Sequence, residues 1–95
     1  MKQYWVYILV CSDGTLYTGY TTNLDKRIIK HNLKQGAKYT RSRLPVKLVY
    51  SQVYEDKSAA LKREIQIKSL SRSDKFILIN KNRNDNILMS MLIDG

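Results

Sequence analysis

Residues 4–21 read Tyr4-Trp5-Val6-Tyr7-Ile8-Leu9-Val10-Cys11, then Ser12-Asp13-Gly14, then Thr15-Leu16-Tyr17-Thr18-Gly19-Tyr20-Thr21, and this stretch decides the fold. The first segment is rich in aromatic and branched residues and does not alternate with polar ones. That is strand composition, and the missing alternation predicts burial on both faces. Ser12-Asp13-Gly14 is a turn signal, and Thr15–Thr21 reads as the returning strand of a hairpin. The turn length sets which side chains can cooperate. A two-residue turn at Asp13-Gly14 puts position 7 opposite position 20, with Tyr7 and Tyr17 on opposite faces. A three-residue turn with Gly14 left-handed puts 9 opposite 17, and the two tyrosines share a face. The three-residue form is the expectation.

Working outward, Thr22 or Asn23 can cap a helix that begins near Leu24. Leu24, Ile28 and His31 recur at helical spacing, and the helix should fade before Gly36. Residues 36–45 read as a polar loop, whose cations Lys38, Arg41 and Arg43 are joined by Lys47 beyond Pro45. Residues 46–54 form a third strand. Ser58 is the expected cap of a second helix with Leu61 and Ile65 in its apolar stripe. A third helix is expected from Ser71 to about Lys81, carrying Phe76, Ile77 and Ile79. The order β-β-α-β-α-α implies an α+β fold, a small three-stranded antiparallel or mixed sheet flanked by helices. Residues 1–81 form the expected domain. Residues 82–95 are the tail, whose apolar segment Ile87–Ile93 is either a short helix packed on the domain or a contact for a partner protein.

Ninety-five residues is one domain. Seventeen Lys and Arg against 8 Asp and Glu give a net charge of +9, which is an argument about partners rather than fold. Polyanions are the natural target, because neutralised phosphates release condensed counterions. A membrane surface would call for a basic amphipathic helix, and the basic residues are instead spread along the chain. One cysteine, Cys11, excludes an internal disulfide and points to a reducing compartment. No apolar run approaches the ~20 residues that span a bilayer, and the amino terminus lacks a signal-peptide pattern. A cytoplasmic location follows as an expectation.

Two helices carry ionisable groups in unexpected places. On a 3.6-residue wheel Ala60, Leu61, Ile65 and Ile67 mark the buried arc of the second helix, and Glu64 falls inside it. A carboxylate is rarely buried without a partner. Either Glu64 pairs with Lys68 one turn on, or it faces a cleft and holds a metal ion. On the first helix Arg27 and His31 share a face beside Leu24 and Ile28. The plain readings are a snorkelling arginine and a boundary histidine.

Taken together these residues form a pattern. Trp5-Val6-Tyr7 followed by Tyr17-Thr18-Gly19 resembles the paired tripeptides of the GIY-YIG nuclease family. Arg27, then His31 one turn later, then Glu64 on the next helix match that family's arginine, its Tyr-or-His position and its metal-binding glutamate, in order. The likeness runs from residue 4 to about 80, and the loop 36–45 is similar to that of small stand-alone bacterial members. Trp5 stands where the family name has Gly, and Thr18 where it has Ile. Tyr20 occupies a position at which DNA-repair members often carry lysine. Phe76 falls where many members place an asparagine, with Asn80 the nearest one.

The resemblance implies metal-dependent hydrolysis of phosphodiester bonds in nucleic acid, DNA being the expected form. Glu64 would hold Mg²⁺ or Mn²⁺, and Arg27 would bind phosphate oxygens through its planar fork. Tyr7 is the family's general base, with Tyr17 bonding to phosphate or water. His31, whose ordinary pKa is near ~6.5, is the simpler base on chemical grounds. The choice between Tyr7 and His31 stays open at this level. Lys38, Tyr39, Arg41 and Arg43 are expected to contact the nucleic-acid backbone, with Tyr39 able to stack on a base. The alternatives are a nucleic-acid-binding module with weak or no catalysis, and an interaction subunit that docks through Ile87–Ile93.

Overall fold

The strands on either side of Gly14 pair in the register that a three-residue turn demands. The computed structural model describes residues 2–82. In it β1 (Tyr4–Val10) runs antiparallel to β2 (Leu16–Thr21), with Leu9 opposite Tyr17 and Tyr7 opposite Gly19. Gly14 has φ +82°, a left-handed conformation that costs a glycine little. The hairpin closes through a bond from Cys11 N–H to Thr15 C=O at 2.8 Å. β3 (Lys47–Tyr54) pairs antiparallel with the other edge of β1, so the sheet order is β2-β1-β3. The strand without alternation is therefore the central one, covered on both faces.

Four helices accompany the sheet: α1 (Leu24–Asn32), α2 (Lys38–Arg41), α3 (Lys57–Lys68) and α4 (residues 72–82). The expected β-β-α-β-α-α order holds, with one addition. The segment that reads as a polar loop contains the single turn α2.

Even-numbered β1 residues Val6 and Ile8 pack with Tyr50, Ala60, Ile67 and Ile79, which brings α3 and α4 onto one face. Odd-numbered Tyr7, Leu9 and Cys11 pack with Val46, Leu24 and Ile28, which brings α1 onto the other. Each face thus takes the residues that a period of two assigns to it.

Two local expectations are corrected. The cap of α3 is Asp56, not Ser58. Asp56 is extended, and its carboxylate accepts bonds from Ser58 N–H and Ala59 N–H, whereas Ser58 already lies inside the first turn. Ile65 is 67% exposed, because at ~100° per residue the buried row on α3 is 60, 64 and 67, and position 65 lies well away from it. On α4 Ile79 is buried and Ile77 is exposed.

Asn23 caps α1 by accepting from Lys26 N–H at 3.1 Å, a contact worth ~1 kcal/mol. No helix of the described residues is long and apolar enough to cross a membrane. The proposed contact at Ile87–Ile93, and the rest of the tail beyond residue 82, lie outside the described residues.

Candidate active site

Gly19 makes room for the group at the centre of the site. Tyr7 leaves β1 on the α1 face, and its ring tip lies over Gly19 of the edge strand β2. A Cβ at position 19 would stand 2.5 Å from both the Cζ and the hydroxyl oxygen of Tyr7. The shared face predicted for the two tyrosines is realised, with ring centroids 6.4 Å apart. Tyr17 also meets His31 edge-on at 5.4 Å.

The Tyr7 hydroxyl is 3.0 Å from His31 Nε2, and His31 Nδ1 is 2.9 Å from Thr40 Oγ1. Thr40 Oγ1 in turn donates to the Ala37 carbonyl at 2.9 Å. Tyr7, His31 and Thr40 are each 0% exposed, so this chain of bonds is sealed from bulk water. The end of α1 builds the seal. Lys34 takes φ +63° and Gln35 N–H bonds back to Lys30 C=O at 2.9 Å, a helix-closing reversal. The reversal lays Gly36 on the imidazole, where a Cβ would collide with Nδ1 and stand 2.7 Å from Cγ.

Arg27, one turn before His31, has a buried Nε with no hydrogen-bond partner. Among the described residues no carboxylate pairs with it. A guanidinium held in this way suits an incoming anion. Burial raises the Tyr7 pKa above 10.0, and the nearby Arg27 guanidinium only partly opposes that. Burial lowers the His31 pKa below 6.5, and Arg27 lowers it further. Near neutral pH the pair is therefore a phenol facing a neutral imidazole.

Glu64 occupies the buried row of α3 between Ala60 and Ile67. The pairing with Lys68 is found. Lys68 Nζ lies 3.4 Å from a carboxylate oxygen, yet the Glu64 side chain is only 17% exposed while that of Lys68 is 55% exposed. Glu64 is thus largely withdrawn from bulk solvent, on a helix that packs against the sheet. No group of three or more His, Cys, Asp or Glu among the described residues could hold a metal ion. A divalent ion here would have Glu64 as its one carboxylate.

The loop residues divide. Lys38 and Arg41 are exposed on α2. Tyr39 stacks beside Tyr17 with centroids 6.1 Å apart, which joins the loop to the site. Arg43 is already engaged: its guanidinium lies 4.0 Å over the Tyr39 ring, pairs with Asp13 at 3.1 Å and donates to the Tyr39 carbonyl at 2.8 Å. It clamps α2 to the hairpin tip. Two further groups of cations, not expected from the sequence to contact nucleic acid, flank the site. Lys68 and Lys75 line a shallow depression of about 280 Å³ beside Tyr17 and Tyr39. Lys26 and Lys30 join Arg27 around a second of about 420 Å³. The spacing of Lys26 and Lys30 on one helix face was the available signal for the latter. Nothing local could place Lys75 beside Tyr39.

Comparison with known proteins extends the likeness over most of the chain. The family model described as the GIY-YIG catalytic domain matches residues 3–84. A UPF0213 protein of Staphylococcus saprophyticus is 54% identical over 81 residues, covering 85% of this chain and 99% of the relative. A UPF0213 protein of Staphylococcus aureus matches with the same identity and coverage. The solution NMR structure of the UPF0213 protein BH0048 from Bacillus halodurans superimposes with TM-score 0.56 at 47% identity, covering 82% of this chain and 83% of that one. That of EF2693 from E. faecalis gives TM-score 0.61 at 36% identity, covering 87% and 88%.

Proposed function

This chain belongs to the GIY-YIG family, a family of nucleases, and from that premise we propose that it is an endonuclease that hydrolyses phosphodiester bonds in DNA with the help of Mg²⁺ or Mn²⁺. The observation that carries the reading is that the buried Arg27 Nε has no hydrogen-bond partner and lies one helical turn from His31, whose Nε2 is 3.0 Å from the Tyr7 hydroxyl.

Arg27 takes the phosphate oxygens of the scissile group. Phosphate binding by this guanidinium brings the attacking water to the Tyr7 hydroxyl. Tyr7 is a protonated phenol near neutral pH, and alone it is a poor base. It works in series with His31: as the hydroxyl takes a proton from water, its own proton passes to Nε2 at 3.0 Å. The two candidate bases thus act as one relay. Tyr17, on the same face, bonds to the phosphate or the water.

Glu64 fits a hard cation that keeps most of its waters and takes its other ligands from phosphate, a mode in which one protein carboxylate suffices. Bound there, such an ion supplies charge stabilisation at the phosphate and leaving oxygen. Lys68 would release Glu64 and remain beside the substrate backbone. The exposed Lys38 and Arg41, with Lys75 and the Tyr17–Tyr39 pair, provide the surface for the flanking strand.

One observation favours a second reading, a nucleic-acid-binding module with weak catalysis. Phe76, where many family members have asparagine, is packed against the core of the α3 and α4 face and lies under the Arg72 guanidinium at 4.8 Å. It offers the site no polar group. The test compares the wild type with Glu64→Ala on branched, single-stranded and duplex DNA, with and without Mg²⁺ or Mn²⁺. The nuclease reading expects metal-dependent cleavage that Glu64→Ala abolishes while binding survives. Binding without cleavage in both proteins would establish the second reading. Cleavage that survives Glu64→Ala would overturn the metal assignment.

A further inference from the structure

We infer that Thr40 is a positioning residue that fixes the tautomer of His31, so that Nε2 carries a lone pair toward Tyr7. This rests on the nuclease reading for its catalytic consequence, but not for the tautomer itself.

Thr40 Oγ1 stands 2.9 Å from the Ala37 carbonyl, which can only accept, and 2.9 Å from His31 Nδ1. The hydroxyl has one proton to give. If that proton goes to the carbonyl, Nδ1 must carry the hydrogen and donate to Oγ1. Nε2 is then the acceptor for the Tyr7 hydroxyl at 3.0 Å, and all three protons are matched to acceptors. If instead Nε2 carried the hydrogen, it would donate to Tyr7. The phenol proton would then face no acceptor among the described residues, since its other neighbour, Arg27, is a donor. In a sealed site an unmatched donor costs about 1–3 kcal/mol. The first arrangement is therefore the one the geometry selects.

The rest of the loop serves the same end. Thr40 N–H also bonds to the Ala37 carbonyl, at 3.1 Å, which fixes the turn that carries the hydroxyl. Gly36 closes over the imidazole so tightly that a Cβ would strike it. With Nδ1 directed at Thr40 and Nε2 at Tyr7, the bond from the Thr40 hydroxyl to the Ala37 carbonyl sets which nitrogen carries the hydrogen. α2, one turn long, thus holds Thr40 inward while Lys38 and Arg41 face solvent.

His31 is the only histidine in the chain, so its ¹⁵N resonances are unambiguous. The experiment records long-range ¹H–¹⁵N correlations of the intact protein at neutral pH, without substrate, for the wild type, Thr40→Ser and Thr40→Val. The wild type and Thr40→Ser should show a protonated Nδ1 and an unprotonated Nε2. Thr40→Val, which keeps the shape and removes the acceptor, should shift the hydrogen to Nε2. In parallel, kcat for cleavage should fall by about 10²-fold or more in Thr40→Val, at nearly unchanged KM, and recover in Thr40→Ser. A wild-type Nε2–H tautomer overturns the inference, even if Thr40→Val fails to fold. So does a folded Thr40→Val with the wild-type tautomer. Absence of cleavage with the expected tautomers would leave Thr40 in its place and count against the nuclease reading instead.

Discussion

Replacing Gly19 by alanine tests the site with a single methyl group. The added Cβ would stand 2.5 Å from Tyr7 Cζ and Oη and 3.1 Å from Tyr17 Cε1. Ordinary carbon contacts lie at ~3.5–4.0 Å, so the tip of the Tyr7 ring must move by about 1 Å. Tyr7 is 0% exposed and packed against Leu9 and its neighbours, so a shift of its ring displaces packed side chains. The overpacking should cost about 1–3 kcal/mol of stability. The functional effect should be larger than that suggests. A 1 Å shift removes the geometry of the 3.0 Å bond to His31, and displacements of this size near a reacting group cost about 10²-fold in rate. Denaturant unfolding gives the first number and initial cleavage rates give the second. The His31 ¹⁵N spectrum shows whether the bond to Tyr7 has gone. A Gly19→Ala protein with wild-type stability and an unchanged His31 spectrum would refute the close approach, and with it the role given to Gly19.

Two further expectations follow from charge. The folded pKa of His31 lies below its ordinary 6.5, so between those two values the unfolded state binds more protons and stability falls as pH drops. The loss should begin below about 6.5, level off below the folded pKa and be absent in His31→Gln; urea midpoints across that range would expose a slope of the wrong sign. Lys75→Ala should weaken DNA binding and reduce the salt slope by about one. Arg43→Ala, whose cation is already paired with Asp13, should leave that slope nearly unchanged; equal slopes for the two variants in a salt titration would refute the division of the loop cations.

The strand pairing was legible because its determinants are local. Gly14 supplies the left-handed residue a three-residue turn needs, and turn length alone sets which side chains face each other. Burial of β1 on both faces followed from its unbroken apolar run, and the odd position of Glu64 from the period of the helix. Errors arose where two local choices were nearly equal. Asp56 and Ser58 are both good caps, and Ile65 is an apolar residue on a face of α3 that stays exposed among the described residues.

From the sequence alone came the hairpin register, the sheet and its helices, and the list of groups able to do chemistry, because backbone periodicity and turn geometry act over a few residues. Only the tertiary structure decided how those groups are joined. It made Tyr7 and His31 a bonded pair instead of rivals, and brought in Thr40, a residue unremarkable in the sequence. It also tied Arg43 to Asp13 and brought Lys75 to Tyr39. The physical reason is that hydrogen bonds and burial depend on atoms within about 3–4 Å, and the chain that supplies those atoms returns from positions far apart in sequence.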